Sequence, residues 1–380
     1  MLKAKRMLLS ELLIVFAKTM QPVVPAADKE EAFMRFGHFD DARREYVITS
    51  PQTPLPWINY LGSEDFFSLV SNTAGGYSFY RDARLRRLTR YRYNSSPLDM
   101  DGHHIYIKDG GTVWNPGWQP TKTPLDRYSC RHGLGYTILE GEKDGICAAQ
   151  ELFVPKGDAC ELDRLTLTNR SDRPRELDVF SYVEFCLWDA VDDSTNFQRN
   201  FSTGEVEVEP CAIYHKTEYR ERRDHYAVFW SNTPVTSFDT ARDAFCGVYG
   251  GPADPQVVRA GHCSGSIAHG WAPVGALHIH VNLAPGEEKK ILFGLGYIEN
   301  PQEEKFTAPG VINKTRAHAM MARYADDAQV DAARAALADH WESLLSGYRL
   351  QSGEEKLDRM VNIWHQYQCM VTFNMSRSAS

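Results

Sequence analysis

The 380 residues carry 42 Lys and Arg against 50 Asp and Glu, a net charge of −8, with 43% apolar and 24% charged residues. That balance excludes a basic nucleic-acid binder and a disordered chain, and the length suggests about two to three structural units with a sizeable core. Eight cysteines stand apart with no C-x-x-C pair, so neither a zinc ribbon nor a disulfide framework is indicated, and reduced thiols in a cytoplasmic protein are expected.

At the N-terminus, Lys3, Lys5 and Arg6 precede an apolar stretch from Met7 to Ala17, which has the outline of a secretory signal. Ser10 and Glu11 interrupt it, Lys18 follows at once, and Pro22 and Pro25 give a weak cleavage context. The plainer reading takes Met34 as the natural start and residues 1–33 as an extension outside the fold. No apolar run reaches the roughly 18 to 20 residues of a membrane span.

From about residue 45 to 300 the pattern is of short strands. Arg164–Thr168 alternates, Asn169–Pro174 breaks it, and Leu177–Phe185 resumes an extended aromatic run, which reads as strand, turn and strand. Glu205–Glu209 alternates with one wet face. Leu277–Leu283 alternates strictly, Pro285-Gly286 supplies a turn, and Lys290–Tyr297 leads away. Strands spaced so closely, with no helical pattern between them, predict an antiparallel sandwich and not a parallel sheet.

After Pro301 the period changes. Val330, Ala333, Leu337, Trp341 and Leu344 fall on one helical face, and Leu357, Met360, Val361, Trp364 and Val371 on a second, with Ser352 and Glu355 as its capping box. That second apolar face would find no helical partner before Ser380, which predicts more protein beyond it.

Three segments have the chemistry of a polyhydroxyl site. Gly75-Gly76 leads into Tyr77–Asp82, where glycine, aromatic, Arg and Asp residues suit a sugar loop, although spacing alone favours a hairpin with a solvated basic face through Arg90 and Arg92. Glu184–Trp188 leads into Asp192–Asn200, dense in amide, carboxylate and guanidinium groups, as hydroxyls that both donate and accept require. His215–His225 mixes charges and fits either an ion-paired strand or a second cleft wall. His103-His104 and His278-x-His280 invite a metal, but no carboxylate or cysteine stands at ligand spacing. No phosphate-binding glycine loop or nucleophile elbow is present.

The segments MRFGHFDDARREYVITSPQTPLPWINYLGSEDFFSLVSNTAGGYSFYRDARLRRL, VEFCLWDAVDDSTNFQRNFSTGEVEVE, AIYHKTEYRERRDHYAVF and EEKLDRMVNIWHQYQCMVTFNMSRSAS resemble the cellobiose phosphorylases of glycoside hydrolase family 94, over residues 34–380. The resemblance implies a large antiparallel β-sandwich (a supersandwich) over 34–304, a helical linker over 305–350, and over 351–380 the first helix of an (α/α)6 barrel that this chain leaves incomplete. It also implies inverting phosphorolysis, in which cellobiose and inorganic phosphate give α-glucose 1-phosphate and glucose with no metal or organic cofactor. Phosphate is the nucleophile, so one carboxylic acid suffices. That acid, an Asp of the barrel, would lie beyond Ser380, and the chain alone is expected not to turn over.

In such enzymes a loop of the partner's sandwich closes each site of a homodimer around the acceptor sugar. The matching positions here are Gln198 and Arg199 in NFQRN, with Glu218 in HKTEY; Tyr80, Arg81 and Asp82 are secondary, and Arg377 in NMSRS lies where the chain enters the active-site region. The alternatives are a stand-alone carbohydrate-binding or dimerisation module and a hydrolase of related fold.

Overall fold

The structure, a computed structural model, describes residues 36–62, 64–92, 96–195, 203–219, 221–222, 224–270 and 272–376. Two large antiparallel sheets pack face to face, as the alternation predicts. The larger runs in the order Glu45–Ile48, Arg127–Gly133, Tyr136–Lys143, Ile146–Phe153, Cys160–Asn169, Glu288–Glu299, His225–Ser231, Ala212–Tyr219, Thr203–Glu209. The smaller runs Ser237–Ala241, Pro273–Leu283, Arg175–Trp188, Arg87–Thr89, Gly76–Tyr80, Phe66–Ser71, Ile58–Leu61, with His104–Asp109 also paired to Arg175–Trp188.

The expected strand-turn-strand units exist, but they are not hairpins. Cys160–Asn169 pairs with Glu288–Glu299 in the larger sheet, while Arg175–Trp188 pairs with Pro273–Leu283 in the smaller. The turns at 169–174 and 284–287 therefore carry the chain from one sheet to the other. Asn169 makes the first of them: its amide donates to the carbonyls of Arg173 and Leu283, and its side-chain oxygen accepts from Ser171. Alternation fixes which face a side chain takes, not which strand lies beside it.

Apolar residues from both inner faces, among them Ile107, Leu165, Val179, Phe185, Ile279 and Phe293, fill the space between the sheets. A polar cluster interrupts this core. His103 Nε2 lies 2.9 Å from Glu161, Ser78 donates to Glu161 at 3.0 Å, and the Gln150 amide donates to Asp163 at 2.8 Å, all buried. Burial pushes the Asp163 carboxyl up to about 7, against the Gln150 hydrogen bond. A folded-state pKa above the unfolded one means that the stabilisation is complete below about pH 4 and is lost as the pH rises through 7. Asp163→Asn is expected to flatten the decline in urea-unfolding midpoint between about pH 4 and 7; an unchanged slope would mean that Asp163 is ionised in the fold.

Helices Thr315–Ala322, Asp327–Leu345 and His365–Ser376 cover the outer face of the larger sheet. Asp327–Leu345 begins on a capping box between Asp326 and Gln329 and buries Val330, Leu337 and Trp341, with Leu345 in place of the expected Leu344, which is exposed. The following helix departs further from expectation. Ser352 is held not by Glu355 but by Asp358, which accepts from its backbone N–H and its hydroxyl, while the Ser352 oxygen accepts the Glu354 N–H at the helix start. Glu355 pairs instead with Arg359 one turn on. Leu357 is exposed, while Trp364, Tyr367 and Val371 are buried. The apolar face expected to lack a partner thus has one within the chain, in Leu134, Tyr136, Leu337 and Trp341. Among the described residues no helix is long and apolar enough to cross a membrane.

Candidate functional site

Strand Arg175–Trp188 runs through the centre of the smaller sheet and leaves it through a bulge. Its register shifts between Phe185 and Trp188, and Trp188 adopts φ +70°, a strained conformation for a buried tryptophan. The bulge turns the chain into the short helix Ala190–Ser194, whose Val191 and Asp192 N–H groups donate to the Asp189 carboxylate.

A buried ion cage lies beneath this exit. Glu184 accepts from Arg242 at 2.8 Å, Arg92 at 3.0 Å, Arg90 at 3.5 Å and the Tyr182 hydroxyl at 3.0 Å. Arg90 also grips Asp193 of the short helix with two bonds of 2.6 Å, and Arg92 bonds Asp101. Burial opposes ionisation of Glu184, yet Arg92, Arg90 and Arg242 outweigh it and hold the carboxyl well below the usual range. Asp101 goes the other way, pushed up to about 6 by burial and by the charge of Glu184.

The solvated face expected for Arg90 and Arg92 is therefore replaced by this cage, with Arg90 fully inside it. The signal is present in the sequence, since Glu184 is the one charged residue in the run from Phe180 to Trp188. A buried carboxylate needs cations, which the fold brings from Arg90, Arg92 and Arg242.

The three sequence segments converge at one end of the sandwich. Arg87 pairs with Trp188, and Ala190 donates its N–H to the Arg84 carbonyl, which joins the turn after Tyr80 to the exit of the central strand. Thr203 pairs with Glu218, and His225 with Glu299, at the same end of the larger sheet. Phe185 stacks on His215 at 4.7 Å, and Trp188 meets His225 edge-on at 4.5 Å, so aromatic rings bridge the two sheets below the loops.

Tyr80 stacks on Tyr297 at 4.0 Å, with the Arg81 guanidinium 5.0 Å from the Tyr80 ring centroid. Arg81 holds Asp65 with two bonds, and Asp82 accepts from the N–H groups of Arg84 and Leu85, closing the turn. Glu218 is placed by its backbone register alone. Gln198, Arg199 and Arg377 lie outside the described residues.

Of the histidine pairs, His278 and His280 share a carboxylate that spacing does not reveal: both bond the same oxygen of Asp178, at 3.1 and 3.0 Å, with Lys108 3.8 Å from the other. Among the described residues there is no cluster of three or more His, Cys, Asp or Glu able to hold a metal ion. A cleft of about 490 Å³ lies elsewhere, between Asp41 and Arg44 on one side and the end of helix Asp327–Leu345 with the segment 353–363 on the other, crossed by the ion pairs Arg44–Glu342 and Arg359–Asp41.

The family profile of the glycosyl hydrolase 94 supersandwich domain matches residues 44–327. The chain belongs to glycosyl hydrolase family 94. The profile of that family's catalytic domain matches residues 340–380. N,N'-diacetylchitobiose phosphorylase of Vibrio proteolyticus is 36% identical over 354 residues, covering 91% of this chain and 42% of that protein. Solabiose phosphorylase of Paenibacillus borealis is 36% identical over 256 residues, covering 67% of this chain and 33% of that protein. Among solved structures, a bacterial glucoamylase complexed with acarbose superposes with a TM-score of 0.48 at 8% identity, over 86% of this chain and 43% of that one. This glycosyl hydrolase 94 chain thus spans less than half the length of the two phosphorylases.

Proposed function

We propose that the chain is the N-terminal portion of an inverting disaccharide phosphorylase, in which the sandwich contributes to the acceptor-sugar site and to a homodimer interface. The carrying observation is the succession of a supersandwich match over 44–327 and a catalytic-domain match over 340–380 in one chain. In this reading phosphate attacks the anomeric carbon while a carboxylic acid beyond Ser380 protonates the departing oxygen, and no metal or organic cofactor takes part. The protein acts in the cytoplasm.

The acceptor contacts fall to Gln198 and Arg199, with Glu218 as their companion and Tyr80, Arg81, Asp82 and Arg377 in secondary roles. The buried Arg90–Asp193 pair supports this assignment, because it anchors the helix from which residues 196–202 continue. Two disaccharides compete as substrate. Cellobiose, giving glucose and α-glucose 1-phosphate, is what the sequence motifs suggest; N,N'-diacetylchitobiose is what the name of the Vibrio proteolyticus relative suggests.

Incubating the full-length protein with each disaccharide and phosphate, and assaying the sugar 1-phosphate, separates them. Free sugar without phosphate consumption would sink the reading in favour of a hydrolase. Release of sugar 1-phosphate by the 380-residue chain itself would show that the acid lies within it. Arg199→Ala in the full-length protein is expected to raise the acceptor KM in the synthetic direction by about 5- to 150-fold, the worth of a guanidinium-to-hydroxyl bond of roughly 1–3 kcal/mol. Unaltered acceptor kinetics would remove Arg199 from the site. Should the 380-residue chain bind sugar and dimerise with no longer form made, the module reading replaces this one.

A further inference from the structure

The junction between the sandwich and the catalytic-domain match turns on a single hydroxyl. Strands Arg127–Gly133 and Tyr136–Lys143 of the larger sheet are joined by the tight turn Gly133–Tyr136, which projects toward helices Asp327–Leu345 and His365–Ser376. Gly135 sits at φ +76°, and a Cβ there would come within 2.6 Å of Trp341 Nε1, so only glycine lets the turn reach the helices. The Tyr367 hydroxyl accepts the Gly135 N–H at 3.1 Å and stands 2.8 Å from Asn59 Oδ1 and 2.9 Å from the Tyr60 carbonyl, either of which can take its proton.

Asn59 completes the lock. Its amide nitrogen donates to the carbonyls of Gly133 and Tyr136 at 2.9 and 2.8 Å, so the residue that receives Tyr367 is itself tied to both ends of the turn. Both side chains are buried. A phenylalanine would supply the same packing against Trp341, whose ring meets Tyr367 edge-on at 4.8 Å. The hydroxyl adds what apolar contact lacks, a fixed register along the helix axis, since a ring packed only by dispersion tolerates sliding.

The helix is built to deliver Tyr367 there. Residues Met360–Trp364 form a single π-turn between Glu355–Arg359 and His365–Ser376. The extra residue in that turn rotates the helix beyond it, which brings Trp364, Tyr367 and Val371 onto the sandwich side and leaves Leu357 outside. The Gln366 amide bonds the Val361 carbonyl at 3.1 Å within the turn, and Asn362 clasps the N–H and carbonyl of Leu350 at 2.7 and 2.9 Å.

We infer that Tyr367 is a positioning residue: its hydroxyl, keyed into the Gly133–Tyr136 turn through Asn59, sets the register at which the catalytic domain leaves the sandwich. The inference rests on the phosphorylase reading above, in which acceptor contacts come from the sandwich and the proton-donating acid from the catalytic domain. The register of the helix then governs how the two halves of the sugar site meet.

The test uses Tyr367→Phe, with Asn59→Ser as a second variant acting on the same lock. In the 380-residue chain, amide exchange across His365–Ser376 is expected to accelerate about tenfold, with strand Cys160–Asn169 unchanged. In the full-length protein the acceptor KM is expected to rise about fivefold, while the KM for the sugar 1-phosphate and kcat stay within about twofold. A purely structural residue would lower the active fraction and leave the ratio of the two KM values alone. Unaltered exchange, or faster exchange with an unaltered KM ratio, overturns the inference. Absence of phosphorolysis in the unmodified full-length protein is a separate failure, of the functional reading; the exchange result then decides the anchoring by itself.

Discussion

Glu184→Ala is expected to lower the free energy of unfolding by about 2–4 kcal/mol, because it removes the carboxylate shared by the buried Arg90 and the part-buried Arg92 and Arg242. Arg90 keeps Asp193 and Arg92 keeps Asp101, but Arg242 has only Glu184 as an ion-pair partner among the described residues. The double variant Glu184→Leu with Arg242→Leu is therefore expected to lose less than the sum of its two single variants, since two apolar side chains fill the space that two unmatched charges cannot. Urea unfolding followed by tryptophan fluorescence measures both. A loss under about 1 kcal/mol for Glu184→Ala would mean that water reaches the cage and that its charges are not held by one another.

Trp341→Ala is expected to cost a similar amount, about 3–5 kcal/mol, by a different route. The indole is 3% exposed and seals the space between the Gly133–Tyr136 turn, Leu337 and Tyr367. Removing it leaves a cavity among side chains held by a sheet on one side and a helix on the other, which limits collapse. The variant should bind an apolar dye that the unmodified chain does not, as the helical layer loosens from the sheet. A change in midpoint too small to resolve would show that the layer is held by its polar contacts alone. Tyr367→Phe differs in kind, since it removes hydrogen bonds and no packing volume.

Much of this architecture is legible in the residues, and the gaps have physical causes. Alternation over Arg164–Thr168 and Leu277–Leu283 identifies strands because a half-buried strand must alternate. It is silent on partners: the pairing of Asp163 with Phe293 spans 130 residues, and no local pattern encodes it. Helical spacing finds the buried face of Asp327–Leu345 at Val330, Leu337 and Trp341, and misses by one residue at its end. It puts Leu357 on the wrong face because a π-turn breaks the 3.6-residue period on which the spacing argument rests.

The site shows the same division. Glu184, Arg90 and Arg92 are all visible as charges, but a strand arginine faces water or a buried acid with equal ease until the fold supplies the acid. Glycine, arginine and acidic residues flag the turn around Tyr80–Asp82, and what they meet there is each other and Asp65, Tyr297 and the backbone. Segments chosen for their hydrogen-bonding chemistry do converge on one end of the sandwich, because chain reversals between long strands gather there.

The crossing of the chain between sheets at 169–174 has a consequence for synthesis. Strand Cys160–Asn169 leaves the ribosome long before Glu288–Glu299, and His225–Ser231 also waits for that late strand on its far side. Until it arrives, the larger sheet is two fragments, each presenting a bare edge of unpaired N–H and carbonyl groups. Strand Glu288–Glu299 acts as a keystone, and a nascent chain arrested before it would carry two adhesive margins. Translation through this stretch is therefore an interval in which two open sheet edges await the same late strand.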